Sequence, residues 1–377
     1  MTHRSDREPR VLMVVDTAPP QYGGAGRQAY ELARRLPSRG VKVRIVARKK
    51  ENLRSVHPGV SFIGPFIKNE KVSNAVFALL VGLQALVGRY DIIHAHGAYY
   101  YGWTALAAAH IRRKPSVLKV TLMGRDDPAS IRALRQFGVP VGKIIVRQFD
   151  YASRIIALTR EIEAAVRDEK VESTVEWVPN GVAPVDLHTQ SEAVGFTPPS
   201  DYILFVGEVC WRKGADVLVD AFRSFADTHP AAHLVMVGPL NDEVAPATTA
   251  LVRDLPSRVH LLGSQQFDVV SKLLSGARVF CLPSRAEGLP NALLEAMVHG
   301  RASVVSDIPA HREVGGDSVL YSTVGRAGDL SAALARAWSD HDSLGGAASA
   351  AGAQFEIDAI ADVYAKLYLN LMEEDRP

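Results

Sequence analysis

The 377-residue chain predicts an α/β protein of two doubly wound, Rossmann-like domains facing a central cleft. Its length exceeds the roughly 100 to 200 residues that one hydrophobic core usually serves. Short β-branched runs alternate with helical segments through both halves, the pattern of a parallel sheet covered by helices. Between the halves, APVDLHTQSEAVGFTPPSD is polar, Pro-rich and aperiodic, as a linker is. The expected organisation is a first domain at 1–182, a linker at 183–200, a second domain at 201–355, and a C-terminal helix at 356–377 that packs back on the first domain.

In chain order, the strand VLMVVD is followed by a helix near Gly26 to Ser38 and by the strands VKVRIVA and VSFIG. The segment Val72 to Gly88 (VSNAVFALLVGLQALVG) is apolar over its whole length and falls short of the roughly 20 residues of a membrane span. It is expected to be a largely buried helix, with a helix on a membrane surface as the alternative. YDIIHAH, SVLKVTL and SRIIALT complete the first set of strands, with a helix near 99 to 112 between the first two of these. YILFVGE, AAHLVMVG, RVHLLG, ARVFCLP, ASVVSD and SVLYST form the second set, separated by helical segments such as ADVLVDAFRSFADTH and DVVSKLLSGA. Apolar residues at helical spacing from Ile357 to Glu373 give the last helix.

Composition narrows the function. A net charge of +2 provides no overall basic field, so no nucleic-acid partner is expected. Cys210 and Cys281 stand far apart and form neither a disulfide framework nor a zinc motif. The N-terminal MTHRSDREPR runs directly into VLMVVD, where Asp16 interrupts the apolar run too early for a signal peptide. The expectation is a cytoplasmic protein, with peripheral membrane contact as an open alternative.

Chemistry concentrates in SRAEGLPNALLEAM, residues 284–297. Pro290 suits a helix start, since its missing N–H would be unpaired there. Glu287 then lies in the strand-to-helix loop and Glu295 on the second helical turn, about 7 Å further along. Between them, backbone N–H groups from Gly288, Leu289, Asn291 and Ala292 meet the positive end of the helix dipole and suit a phosphate. Taken singly, both glutamates read as solvated charges. Glu295, however, sits within LLEAMVHG, whose apolar neighbours are expected to be buried, and a buried carboxylate needs partners. A nucleotide sugar fits the set, with sugar hydroxyls at Glu287, diphosphate at the helix start and ribose at Glu295.

The run PSRAEGLPNALLEAMVHGRASVVSDIPAHREV, 283–314, resembles the E-x7-E signature of the retaining family 4 glycosyltransferases, which have the GT-B fold. Ala302 replaces the usual proline. The resemblance extends through VGEVCWRKGADVLVDAF at 206–222, HLVMVGP at 233–239, VPNGV at 178–182, YDIIHAHG at 90–97 and PPQYGGAGR at 19–27, and so covers most of the chain. It implies transfer of a sugar from a nucleoside diphosphate-sugar, UDP favoured and GDP the alternative, to a hydroxyl of a glycan, glycolipid or small molecule. No cofactor and no metal are expected. Lys213 would meet the donor diphosphate; a cation at a helix start is otherwise disfavoured by the dipole. Gly207, Gly23 and Gly24 would approach the donor.

Two departures from the family pattern stand out. Glu208 occupies the place of a phosphate-binding arginine in the family pattern, which leaves two alternatives: Arg212 supplies the missing charge from a shifted position, or Lys213 and the helix amides serve without it. Met123 stands where a histidine is usual, and methionine cannot move a proton. His96, Tyr99, Arg125, Asp126 and Arg27 are the expected acceptor contacts. His94 and His96 share one face of a strand, but no third ligand at metal spacing accompanies them. The alternatives are a non-catalytic nucleotide-sugar sensor and a GT-B epimerase.

Overall fold

The computed structural model describes residues 8–19, 24–49, 59–135, 140–183, 196–242, 244–255 and 257–374. The chain divides into two compact units, one of Met1–Gly181 with Ile357–Pro377 and one of Val182–Glu356. Most of the stretch expected as a linker, and Gly23, lie outside the described residues.

The first unit is built on β1 (Arg10–Val15), β2 (Lys42–Arg48), β3 (Val60–Ile63), β4 (Ile92–His96), β5 (Ser116–Val120), β6 (Arg154–Ala157) and β7 (Thr174–Trp177). These form one parallel sheet in the order β3-β2-β1-β4-β5-β6-β7. β4 and β5 are buried at every residue, as strands covered on both faces are. The order reverses between β1 and β4, and the loops leaving those strands are where an open α/β sheet binds ligands.

The second unit carries β8 (Tyr202–Val206), β9 (His233–Val237), β10 (Val259–Leu261), β11 (Val279–Leu282), β12 (Ala302–Ser306) and β13 (Leu320–Ser322). They are all parallel, in the order β10-β9-β8-β11-β12-β13. Here the switch point falls between β8 and β11. The loops leaving those two strands are residues 207–214 and 283–290, which carry Lys213 and Glu287.

The helix Ile357–Glu374 belongs to the first unit. It buries Ile357, Ile360, Tyr364, Tyr368 and Leu371 there. On its outer side Asp358 and Asp362 pair with Arg35 and Arg39, the latter in the short turn Leu36–Arg39. The Tyr368 hydroxyl is hydrogen-bonded to His94 Nδ1 at 2.6 Å.

One expectation is corrected by the helix Glu70–Val87. It buries Ser73, Phe77, Ala78, Val81 and Ala85 against the helix Tyr100–Ile111, but only 28% of it is buried. A helix that is apolar all round carries no charge to mark its outward face, and Leu79, Leu83 and Val87 face solvent.

Candidate active site

In the second unit, the loops after β8 and β11 are locked together. Arg285 N donates to Arg212 O at 2.8 Å, and Arg212 Nη1 donates back to Ala286 O at 3.1 Å. The Arg285 guanidinium forms a bidentate pair with Asp216, both bonds 2.7 Å, and lies 4.3 Å from the Trp211 ring centroid. Asp216 is the second residue of the helix Ala215–Thr228, so this clamp ties the 283–290 loop to the helix that follows Lys213. Gly214 makes the contact sterically feasible: its φ is +71°, and a Cβ there would fall 2.0 Å from Pro283 O.

The lock aims Lys213 at Glu287. Lys213 Nζ donates to Glu287 Oε1 at 2.6 Å, and the Ser284 hydroxyl donates to the same oxygen at 2.6 Å. Arg212 Nη1 stands 3.6 Å from Glu287 Oε2, with half of its side chain exposed. The Glu287 side chain is 5% exposed and that of Lys213 15%, so the pair is desolvated enough to be strong and still reachable. The aliphatic stem of Lys213 lies over Gly207, 3.6 Å from where a Cβ would be. The helix Asn291–Val298 starts just past this pair, with Pro290 as its N-cap, Ala292 in its first turn and Glu295 half-buried on its second. Gly288 and Leu289 form the end of the loop between them. Glu208, by contrast, points to Asn241, whose Nδ2 donates to it at 3.2 Å.

Sequence reasoning missed Ser284 and His311. His311 is fully buried and hydrogen-bonded to Ser306 O at 2.8 Å, and its other ring nitrogen has no partner among the described residues. Burial lowers its pKa, and it lies close enough to sense the charges of Glu287 and Lys213. Its only sequence signal is its place in IPAHREV.

In the first unit, a pocket of about 380 Å3 lies among the loops leaving the strands, lined by Asp16, Arg48, Glu70, Asn74, Tyr99 to Tyr101 and Arg125. Arg48 Nε donates to Asp16 Oδ1 at 2.8 Å, which settles that cation. Arg125 is exposed, and its guanidinium makes no hydrogen bond or ion pair among the described residues. Burial, with help from Asp126, raises the Tyr99 hydroxyl to about 12, which keeps it a neutral donor. The Tyr101 hydroxyl turns inward to His96 O at 2.6 Å.

Three expected acceptor contacts are placed differently. Asp126 is fully buried, and its carboxylate accepts from Thr121 N, Thr121 Oγ1 and Leu122 N at 2.6 to 2.9 Å, so it shapes the loop from within. Burial raises its pKa against those bonds. His96 is also interior: 1% exposed, beside His94 and Lys119, with neither ring nitrogen hydrogen-bonded among the described residues. Its sheet position puts it under the switch-point loops rather than on them. Arg27 sits half-buried in the helix Gly24–Arg35 and does not line the pocket. Gly24 opens that helix, but the closest backbone approach is at Gly26, where a Cβ would fall 1.7 Å from Thr17 O.

Two Rossmann-like units, each with its polar residues gathered on the loops of its own switch point, define a protein of the GT-B class. The chain belongs to the family 4, or group 1, glycosyltransferases. The model described as Glycosyltransferase Family 4 matches residues 22–185, and that described as Glycosyl transferases group 1 matches residues 200–340. An uncharacterized glycosyltransferase of Methanocaldococcus jannaschii is 26% identical over 249 residues, 60% of each chain, so this chain spans less than two thirds of that relative. Among solved structures, sucrose-phosphate synthase from Thermosynechococcus elongatus superposes with a TM-score of 0.74 at 20% identity, covering 97% of this chain and 100% of that one. HepE of Anabaena, in complex with UDP and glucose, superposes with a TM-score of 0.70 at 18% identity, covering 95% and 99%. At such identities the likeness is one of fold.

Proposed function

We propose that this protein is a retaining glycosyltransferase: it moves a sugar from a nucleoside diphosphate-sugar, bound by the second unit, to an acceptor hydroxyl held by the first. The observation that carries this reading is the Lys213 ammonium held 2.6 Å from Glu287 on the switch-point loops. In the absence of donor the two neutralise each other. An incoming diphosphate takes over the ammonium, and Glu287 is released to accept hydrogen bonds from the sugar hydroxyls. As the glycosidic bond breaks, negative charge grows on the diphosphate, where Lys213, Arg212 and the start of the helix Asn291–Val298 stabilise it. These groups of the chain meet the charge without a metal ion. Glu295 receives the ribose hydroxyls.

UDP is the favoured nucleotide, in keeping with the ligand of the Anabaena neighbour. Retention follows from front-side attack, in which the acceptor oxygen bonds to the anomeric carbon as the phosphate leaves, and the phosphate oxygen takes the acceptor's proton. Met123 is compatible with this route because no separate base is required. The acceptor enters the pocket of Tyr99 and Arg125, which suits a polar or anionic glycoside: an aromatic face for the sugar and an exposed guanidinium for a charge.

The test is incubation with UDP-, GDP- and ADP-sugars and measurement of released nucleoside diphosphate, with Lys213→Ala alongside. Release by wild type is expected, with kcat of Lys213→Ala about 100-fold lower and KM little changed. Binding without release would make the protein a sensor, and an isomerised donor without free diphosphate would make it an epimerase. Either result refutes transfer.

A further inference from the structure

We propose that the first unit docks on an anionic lipid bilayer through the outer face of the helix Glu70–Val87. The inward face of this helix is spent on its own unit, where Phe77, Ala78, Val81 and Ala85 are buried. The opposite face carries Val72, Ala75, Leu79, Leu83, Leu86 and Val87, which at about 100° per residue fall on one stripe roughly 24 Å long. All six are exposed, Leu79 by 61%, Leu83 by 49% and Val87 by 80%. From Val72 to Gly88 no residue is charged. The stripe continues into an apolar groove of about 210 Å3 shared with Trp103 and Ile111, and Ile111 is itself 70% exposed. A continuous apolar surface of this kind marks an interaction site.

The charges at its ends identify the partner. Lys68 and Lys71 are exposed just before the stripe, and Arg89 and Arg113 just after it. Arg112 is committed elsewhere, its Nη1 donating to Ala85 O and Gly88 O. An apolar stripe with cations at both ends is the pattern of a helix lying in the plane of a membrane, its apolar face about 5 to 10 Å into the headgroup boundary and its cations among acidic headgroups. A second copy of the chain is a poor match: a two-fold helix pair, parallel or antiparallel, sets a cationic end against a cationic end. Spanning is excluded by the four apolar side chains packed inside the unit. Glu70 and Asn74, on the first two turns of the same helix, line the polar pocket, so that pocket lies at one end of the docked face.

The experiment is flotation of the full chain with phosphatidylcholine vesicles containing about 30% phosphatidylglycerol or none, at 0.1 and 0.5 M salt, with sedimentation velocity for the oligomeric state. It reads binding rather than transfer, so it is independent of the proposed reaction. The chain is expected to partition at least about tenfold more strongly onto the anionic vesicles and to lose most of that at high salt. Leu79→Glu with Leu83→Glu should reduce partitioning at least tenfold with unchanged melting, since both side chains face solvent; Leu79→Ser with Leu83→Ser serves if the glutamates unfold the unit. Arg89→Glu with Arg113→Glu should reduce it about fivefold or more per cation. The proposal is overturned if wild type does not float with anionic vesicles, if the leucine variants float equally well, or if the leucines instead hold together a dimer in solution.

Discussion

Replacing Lys119 with methionine should abolish an alkaline gain in stability that burial of its amine predicts for the wild-type first unit. Lys119 sits on β5, is 1% exposed, and donates to Asn180 Oδ1 at 3.0 Å beneath the Tyr364 ring; no carboxylate pairs with it among the described residues. Burial lowers its pKa from 10.5 to about 7. Between these two values the unfolded chain binds the proton and the folded chain does not, so stability rises with pH across that window. The full penalty applies below pH 7 and vanishes above 10.5. Integrated from pH 7 to 9, the gain is about 2 kcal/mol, or roughly 4 to 8 °C in Tm for a unit of this size. Methionine keeps the apolar stem and its volume but cannot be charged, at a cost of about 1 kcal/mol for the partner Asn180 loses. In calorimetric melts at pH 7, 8 and 9, the variant should melt above wild type at pH 7, and the difference should shrink by about 2 kcal/mol by pH 9. Parallel pH profiles for the two proteins would refute a buried ammonium. His94 and His96, both depressed by burial, act outside this window: their contribution is lost as pH falls below 6.5.

Three further outcomes follow from the site. Glu295→Gln should weaken nucleoside diphosphate binding by about 1 to 3 kcal/mol, whereas Glu287→Ala should spare it and reduce turnover; equal losses in titration calorimetry would show the roles to be divided wrongly. Gly214→Ala should destabilise the second unit by about 1 to 3 kcal/mol in urea melts, because it adds a left-handed strain to a clash with Pro283 O. A variant as stable as wild type would disprove that close approach. Tyr99→Ala and Arg125→Ala should impair transfer to acceptor and leave slow donor hydrolysis intact, and loss of both activities together would assign these residues to the donor or the fold.

Much of this protein is legible in its sequence because parallel strands buried on both faces write themselves as short apolar runs. β7 is the exception: Thr-Val-Glu-Trp is four residues long, at the sheet edge, and half polar, so it lacks such a run. Glu287 and Glu295 stand out as candidates from spacing and loop grammar, and Lys213 from the resemblance of its loop to the family pattern. The Arg285–Asp216 clamp cannot be read this way, since it depends on two segments 69 residues apart meeting in space. Asp126 and His96 illustrate the opposite failure. Polar residues at a strand end or in the loop that follows it look solvent-facing in sequence, but here Asp126 is consumed by loop N–H groups and His96 lies a layer below the surface. The helix Glu70–Val87 shows that apolar composition reports length and not which side is covered.

The return of the helix Ile357–Glu374 to the first unit bears on how the chain is made. During synthesis, N-terminal domains generally complete folding first. Here the first unit lacks Tyr364, Tyr368 and Leu371 until the helix Ile357–Glu374 leaves the ribosome, and β4 and β5 keep His94 and Lys119 uncovered until then. The second unit has β8 to β13 by Ser322, and Val182 N is bonded to Phe355 O, so its two ends meet before the helix Ile357–Glu374 exists. Of the two units the one begun first is therefore completed second, and a ribosome stalled just before residue 357 would hold a chain with an open first sheet and a closed second one.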